Sequence, residues 1–563
     1  MQGRSEISPG FVHGLALAGD AISAPFLLGL AGAVFAWGHD GLAFGLGLGA
    51  GFFLLQILVA PRLSQAGACS LPDYFARRFG GTLPRLLAAL IVVLSMGTLL
   101  VAQLMAAGLV TARLIGLKVD WAVLVAAGVL LVAFALRGLR AAAWLRALVF
   151  LLMLAALLAP AVQLSAEWYG LPVPQIAYGN ALFQVRGLEE TLLEQELADP
   201  AVMNPMLTPF VALDPLNFLG IVLGLALGLA SLPHLIARHI MPASTRAARA
   251  TAVWGLLFAG ALLTAAPVLA TYGKLAVLKL VATRVEISQL PQWIFTYGRL
   301  GLVDVCGVPA IDKAVVAAAC AALPDASSIM RLQDLALSPD MITLAFTEIA
   351  GLGAPMLWLI AAAALAAILA TLDGPLAAIA AAFGWETQDR MGLAPRVIGG
   401  CALVVAAFVA TTHPASILEV ATWAFTIAAA GLFAPLVVGL WWRRASGPAA
   451  ITAMVLGLGL CLHYLAATRY LAVGFFEVWE TLSSAGPTAR EIFGELKTAW
   501  VTAAPGPAKD AAWAALDAHA QGIANWWGIG PLAAILLALP VTIGAMILVS
   551  LVVPQRRPAE TAP

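Results

Sequence analysis

Two acidic residues stand where acids are costly. Asp20 lies midway along an apolar stretch at 11–37, FVHGLALAGDAISAPFLLGLAGAVFAW. Asp373 lies within a second, at 355–385, in the segment AAAALAAILATLDGPLAAIAAAF. A carboxylate at bilayer depth costs roughly 2.5–3.5 kcal/mol on an insertion scale. Each acid has helix-weakening neighbours: Gly19, Ser23 and Pro25 around the first, Gly374 and Pro375 after the second. Such residues interrupt the backbone ladder and free carbonyl oxygens. Free carbonyls, a carboxylate and a hydroxyl such as that of Thr371 form a site for a hard cation, and transporters hold ions at half-helix ends of this kind. The competing reading of Asp20 is a cap or polar seam in a kinked structural helix. For Asp373 it is neutralisation by a basic residue such as Arg146 or Arg140.

Other polar or small residues fall in apolar runs. Gly220, Gly224 and Gly228 recur at four-residue spacing ahead of Ser231 and Pro233, which allows close helix approach. Gln103 interrupts another run, as interhelical glue or as a ligand. Trp423, Phe425 and Thr426 lie mid-run, as core or as a lid over a substrate. No soluble catalytic constellation is present, so an enzyme is not expected. The seven histidines are scattered, and the five cysteines form no CxxC pair. No nucleic-acid motif or basic run appears, and the formal net charge is zero.

The elements that must position these residues are membrane helices. Apolar residues make up 62% of the 563 and charged residues 11%, and mean hydropathy is +0.95. A soluble domain is nearer half apolar and a quarter charged. Hydropathy predicts an all-α integral membrane protein of about twelve spans: 11–37, 41–60, 84–112, 120–136, 142–165, 214–236, 250–273, 355–385, 397–412, 416–441, 448–467 and 529–553, numbered 1 to 12 below. Spans 1 and 6 share an interrupted character and stand five apart. That fits two inverted five-helix repeats, at 11–165 and 214–441, with additional spans in 448–553. The long loops 166–213, 274–354 and 468–528 carry amphipathic runs and are expected to form short helices on the outer face, with disordered linkers as the alternative.

Orientation follows from short-loop arginines. Arg62, Arg77, Arg78 and Arg85 follow span 2, and Arg137, Arg140 and Arg146 surround the turn after span 4. Arg238, Arg246 and Arg249 follow span 6, Arg390 and Arg396 span 8, and Arg443 and Arg444 span 10, while Arg556 and Arg557 close the chain. All share one side if both termini are cytoplasmic in a multi-pass cell-membrane protein. Cys306 and Cys320 share the outer loop 274–354 and are expected to form a disulfide, worth roughly 3 kcal/mol in the chain-entropy model. Two buried free thiols are the alternative, and Cys69, Cys401 and Cys461 are expected to stay reduced.

The residues resemble the solute:sodium symporter family, nearest its cation/acetate and monocarboxylate branch. Three motifs carry the likeness: Gly19-Asp20-Ala21-Ile22-Ser23-Ala24 with the His39-Asp40-Gly41 turn, Leu232-Pro233-His234 with Arg238 and the basic loop ending at Ala247–Arg249, and Ala370-Thr371. The resemblance covers about residues 11–467. It implies a LeuT-type fold in the bacterial inner membrane and sodium-driven uptake of a small organic anion such as acetate. It implies sodium ligands at Gly19, Ile22, Ala367, Ala370 and Thr371, to which Asp20 and Asp373 add carboxylates. Substrate would lie near Ser23, Gln103, Gly228, Trp423 and Phe425. No further cofactor is implied.

The sequence departs from the family pattern at three points. Ala370 replaces the usual Ser and removes a hydroxyl. The helix that usually precedes span 1 has no counterpart, so either a small membrane subunit supplies it or the chain does not need it. Arg146 stands where acetate-type relatives tend to have Gln, in the part of span 5 that runs beside the sodium site. The favoured expectation is that Arg146 snorkels to the headgroups with its neighbours. The alternative is that it points inward, where it would repel an ion about 4 Å away by ~4 kcal/mol at an effective dielectric of about 20. Competing functions are a transporter-like sensor or subunit that no longer moves substrate, and a symporter of an amino acid or sugar. A sensor would be expected to carry a signalling domain beyond span 12.

Overall fold

The structure is a computed structural model describing residues 10–63, 66, 68, 70–137, 142–201, 203–239, 245–323, 327–384 and 393–554. Arg140, Arg390, Arg556, Arg557 and Cys69, and the side chains of Arg137, Arg238, Arg246 and Ala247, lie outside the described residues. Eleven helical stretches among them are long and apolar enough to cross a membrane. The first, Ala24–Leu63, is a hairpin. The chain turns at Gly38 with φ of 58°, and a Cβ on Gly41 would fall 2.4 Å from the Ala33 carbonyl oxygen. Taken as two crossings, with Gly10–Ala21 completing span 1, this hairpin restores the twelve-span order.

Span 1 is two helices, Gly10–Ala21 and Ala24–Trp37. Pro25 sits in the first turn of the second, where its missing N–H costs nothing. Span 6 breaks in the same way, into Pro215–Ser231 and Pro233–His239, with Leu232 extended between them. Span 8 only falters. Ala354–Thr371 and Asp373–Ala382 meet at Leu372, which keeps helical angles. Pro375 has no N–H to return to the Thr371 carbonyl four residues back, so that oxygen leaves the ladder. Span 3 is Thr82–Ile115, span 5 Ala143–Tyr169 and span 7 Thr245–Ala282. Span 10 starts at Ile417, behind a capping box of Ser416 and Glu419, and ends at Trp441.

Packing repeats with a shift of five. Span 1 lies on span 7 as span 6 lies on span 2. Span 5 lies on span 8 as span 10 lies on span 3, and span 1 on span 5 as span 6 on span 10. An odd number of crossings per repeat turns the second upside down relative to the first. Spans 1 and 6 therefore bring their breaks in from opposite ends.

Among the described residues the long loops form helices, including Pro174–Glu194, Lys313–Ala321 and Pro507–Ile523. The loop between spans 7 and 8 adds a small antiparallel sheet of Val303–Val305, Val308–Pro309 and Leu335–Leu337. Cys306 and Cys320 are disulfide-bonded there, as expected, while Cys401 and Cys461 are free.

Candidate functional site

The interruption of span 1 opens the backbone next to Asp20. The helical ladder ends where the Ile22 amide donates to the Ala18 carbonyl at 2.9 Å. It resumes where the Phe26 and Leu27 amides both donate to the Ser23 carbonyl, at 3.0 and 3.1 Å. The carbonyls of Gly19, Ala21 and Ile22 fall between these points and receive no helical donor. Ser23 is extended, and its hydroxyl does not cap the following helix. Gly19 lets span 5 approach, since a Cβ there would sit 3.3 Å from Phe150 Cβ and 3.6 Å from the Arg146 carbonyl oxygen.

Arg146 joins the two intramembrane acids. Its Nε lies 3.6 Å from Asp20 Oδ2, and its Nη1 lies 3.7 Å from Asp373 Oδ2. Arg146, Asp20 and Asp373 are 8%, 4% and 7% exposed. The expectation that Arg146 snorkels to the headgroups is thus overturned. Two buried carboxylates need a counter-charge, and moving the guanidinium to the interface would leave both uncompensated. The pairing considered for Asp373 is present, with Arg146 as the partner. His234 joins the same place, its Nε2 3.3 Å from the Asp20 carbonyl oxygen. A Cβ on Gly374 would meet its ring at 3.1 Å. The sequence marked His234 as part of a motif and gave it no role; nothing local shows that the break in span 6 aims it at spans 1 and 8.

The remaining expected ligands are engaged with one another. The Thr371 hydroxyl donates to the Ala367 carbonyl at 2.8 Å and accepts from Gln103 Nε2 at 3.4 Å. Gln103 Oε1 is buried without a hydrogen-bond partner among the described residues. Ala370 offers no side-chain oxygen. The side-chain oxygens gathered here are thus two carboxylates and the Thr371 hydroxyl, beside the carbonyls of a broken helix.

The residues expected to line a substrate separate into two groups. Gly228 and Phe425 are pressed together: a Cβ on Gly228 would lie 2.4 Å from the Phe425 carbonyl oxygen. Phe425 also packs edge-on against Phe26, with ring centroids 5.1 Å apart. These two residues form a helix contact among spans 1, 6 and 10, not an open wall, because Gly228 removes the side chain that would hold the helices apart. Ser23 and Gln103 are buried, and Trp423 is half-buried with its Nε1–H unpartnered among the described residues.

The model of the sodium:solute symporter family matches residues 3–290. An uncharacterized symporter of Cupriavidus necator is 29% identical over 566 residues, covering 81% of this chain and 80% of the relative. Among solved structures, a sodium-coupled sialic acid symporter in a substrate-bound outward-open state aligns with a TM-score of 0.49 at 11% identity, covering 97% of this chain and 91% of that one. A nucleobase-cation-symport-1 family transporter in a closed conformation aligns with a TM-score of 0.36 at 14% identity, covering 95% and 92%.

Proposed function

Because this chain belongs to the sodium:solute symporter family, we propose that it uses an inward cation gradient to take up a small organic anion of the short-monocarboxylate class, such as acetate. It is a multi-pass membrane transporter, not an enzyme. The acids gathered beside the break in span 1 carry the reading: Asp20 and Asp373 are buried among helices and both face Arg146, at 3.6 and 3.7 Å. A monovalent cation would join these carboxylates at the open carbonyls of the break, where buried acids cost least with positive charge close by. Sodium is the ion the family implies. Asp20 and Asp373, with the carbonyls of Gly19 and Ile22, would hold it, and the Asp373 carboxylate would replace the hydroxyl missing at Ala370. Ala367 and Thr371 would stand behind them.

The substrate carboxylate would meet the start of the helix Ala24–Trp37, where the positive end of the helix dipole favours an anion although Pro25 has no N–H and the Phe26 and Leu27 amides already donate to the Ser23 carbonyl. Ser23, Gln103 and the Trp423 indole N–H are the polar groups around it. The repeats would span 11–165 and 214–441, and both termini would face the cytoplasm. The experiment is uptake of radiolabelled acetate into proteoliposomes with and without an imposed sodium gradient. Accumulation driven by the gradient supports the reading. Acetate excluded under every cation gradient, with another solute accumulated, sinks the substrate class.

A further inference from the structure

A cleft of about 670 Å³ opens at the arginine-rich end, between the end of span 2, the helix Leu71–Phe79 and the end of span 10. Three guanidiniums line it, from Arg62, Arg78 and Arg443, with Pro61, Leu440 and Tyr74 and, among the described residues, no acidic residue. Two of the arginines are held rigidly. Arg78 donates from Nε to the Gly439 carbonyl at 2.8 Å, from Nη2 to Trp442 at 3.0 Å and from Nη1 to Ala445 at 3.3 Å. Arg62 donates to the Leu440 carbonyl at 3.2 Å and lies 3.7 Å over the Trp441 ring. Span 10 is thereby capped at its negative end. Among the described residues the Arg443 guanidinium has no hydrogen-bond or ion-pair partner, while its backbone carbonyl accepts from Arg78 Nη2 at 3.5 Å. The acid on the neighbouring helix, Asp73, pairs with Arg77 at 2.8 Å.

Tyr74 is the second observation. It is 3% exposed, and its hydroxyl has no hydrogen-bond partner among the described residues although it lines the cleft. A buried hydroxyl without a partner is costly. Preset guanidinium forks and one phenolic donor suit a tetrahedral oxyanion. The adjacent tryptophans Trp441 and Trp442 are residue types that sit at headgroup depth. Basic clefts between helices at that depth hold anionic headgroups. We propose that this cleft binds a phosphate group, supplied by the headgroup of an anionic lipid. The bound phosphate bridges span 2, the helix Leu71–Phe79 and span 10, tying the first repeat to the last helix of the second. This site is separate from the transport reading.

The test is native mass spectrometry and thermal unfolding of the purified full chain with phosphatidylglycerol, with phosphatidylethanolamine, and with inorganic phosphate. Phosphatidylglycerol should be retained selectively and raise the melting temperature. The double variant Arg62→Gln/Arg443→Gln should weaken retention by roughly thirtyfold. Tyr74→Phe, which keeps the ring in place, should weaken it by about fivefold. A shift with inorganic phosphate and none with the lipid supports the same chemistry with a soluble source. Equal retention of both lipids with no effect of phosphate overturns the proposal, as does undiminished retention in folded Tyr74→Phe and double-variant proteins.

Discussion

Two groups of buried acids in this protein are satisfied in opposite ways. Asp40, in the turn between spans 1 and 2, is fully buried. Its Oδ1 accepts from the Phe210 amide at 2.7 Å, and its Oδ2 accepts from the Ala212 and Leu213 amides, both at 2.9 Å. All three donors are backbone groups of the segment leading into span 6, and they cannot leave without refolding it. Asp20 and Asp373 instead face one guanidinium at 3.6 and 3.7 Å, on a long side chain from a different helix. Short backbone bonds fix a structure. A long, shared ion pair leaves its side chains freer to rearrange, and such pairs add little stability. Asp40 ties the turn after span 1 to the segment leading into span 6, while the Asp20–Arg146–Asp373 cluster joins side chains of spans 1, 5 and 8.

The largest expected effect breaks the mobile side of this contrast. Asp373→Asn should lower cation-driven uptake at least a hundredfold, roughly the worth of a charge-assisted contact. The protein should still insert and fold, because Asp20 remains to neutralise Arg146. Uptake by the purified, monodisperse variant is the check, and wild-type rates would refute the role. Asp40→Ala tests the fixed side. Three amides lose their acceptor, so stability should fall by about 3 kcal/mol, with unfolding midpoints as the readout. Uptake per folded molecule should hold, and a variant with normal stability but no transport would reverse the assignment.

A smaller effect sharpens the comparison from within the cluster. Arg146→Gln removes the positive charge that faces both acids. Half-saturation by sodium should fall about tenfold, well short of the full Coulomb term because water and neighbouring dipoles respond. If wild-type uptake ignores sodium and Arg146→Gln confers dependence, the arginine is itself the resident cation. The smallest effect concerns Asp340, in the turn Pro339–Met341 outside the spans. It accepts twice from the Ile417 amide, at 2.9 and 3.1 Å. Burial pushes its carboxyl up to about 7; the Ile417 and Leu418 amides oppose this, and Glu419 adds to it. A folded value raised above the unfolded one means that its contribution is present at low pH and lost as pH rises through about 7. Melting temperature should therefore fall between pH 5 and 8 by a few degrees more in the wild type than in Asp340→Asn, and parallel curves would remove Asp340 from the account.

Much of this was legible in the chain because membrane physics acts locally. Twenty apolar residues in a row make a span wherever they occur, so the span order could be read directly. An acid beside Gly and Pro inside such a run marks a break or a charge site whatever its neighbours, which is how Asp20 and Asp373 stand out. Cys306 and Cys320 could be paired because they share one outer loop. Only the tertiary structure decided where charges and contacts point. Arg146 begins a helix near an interface, and its sequence neighbours argue for snorkelling. It turns inward because helices more than a hundred residues away present two carboxylates to it. Gly228 and Phe425 became a helix contact, and Asp40 found its three amides about 170 residues along the chain, for the same reason. Hydrophobic length and backbone propensity are summed over neighbours in sequence, whereas neutralising a buried charge and closing a helix seam depend on groups that only folding brings within a few ångströms.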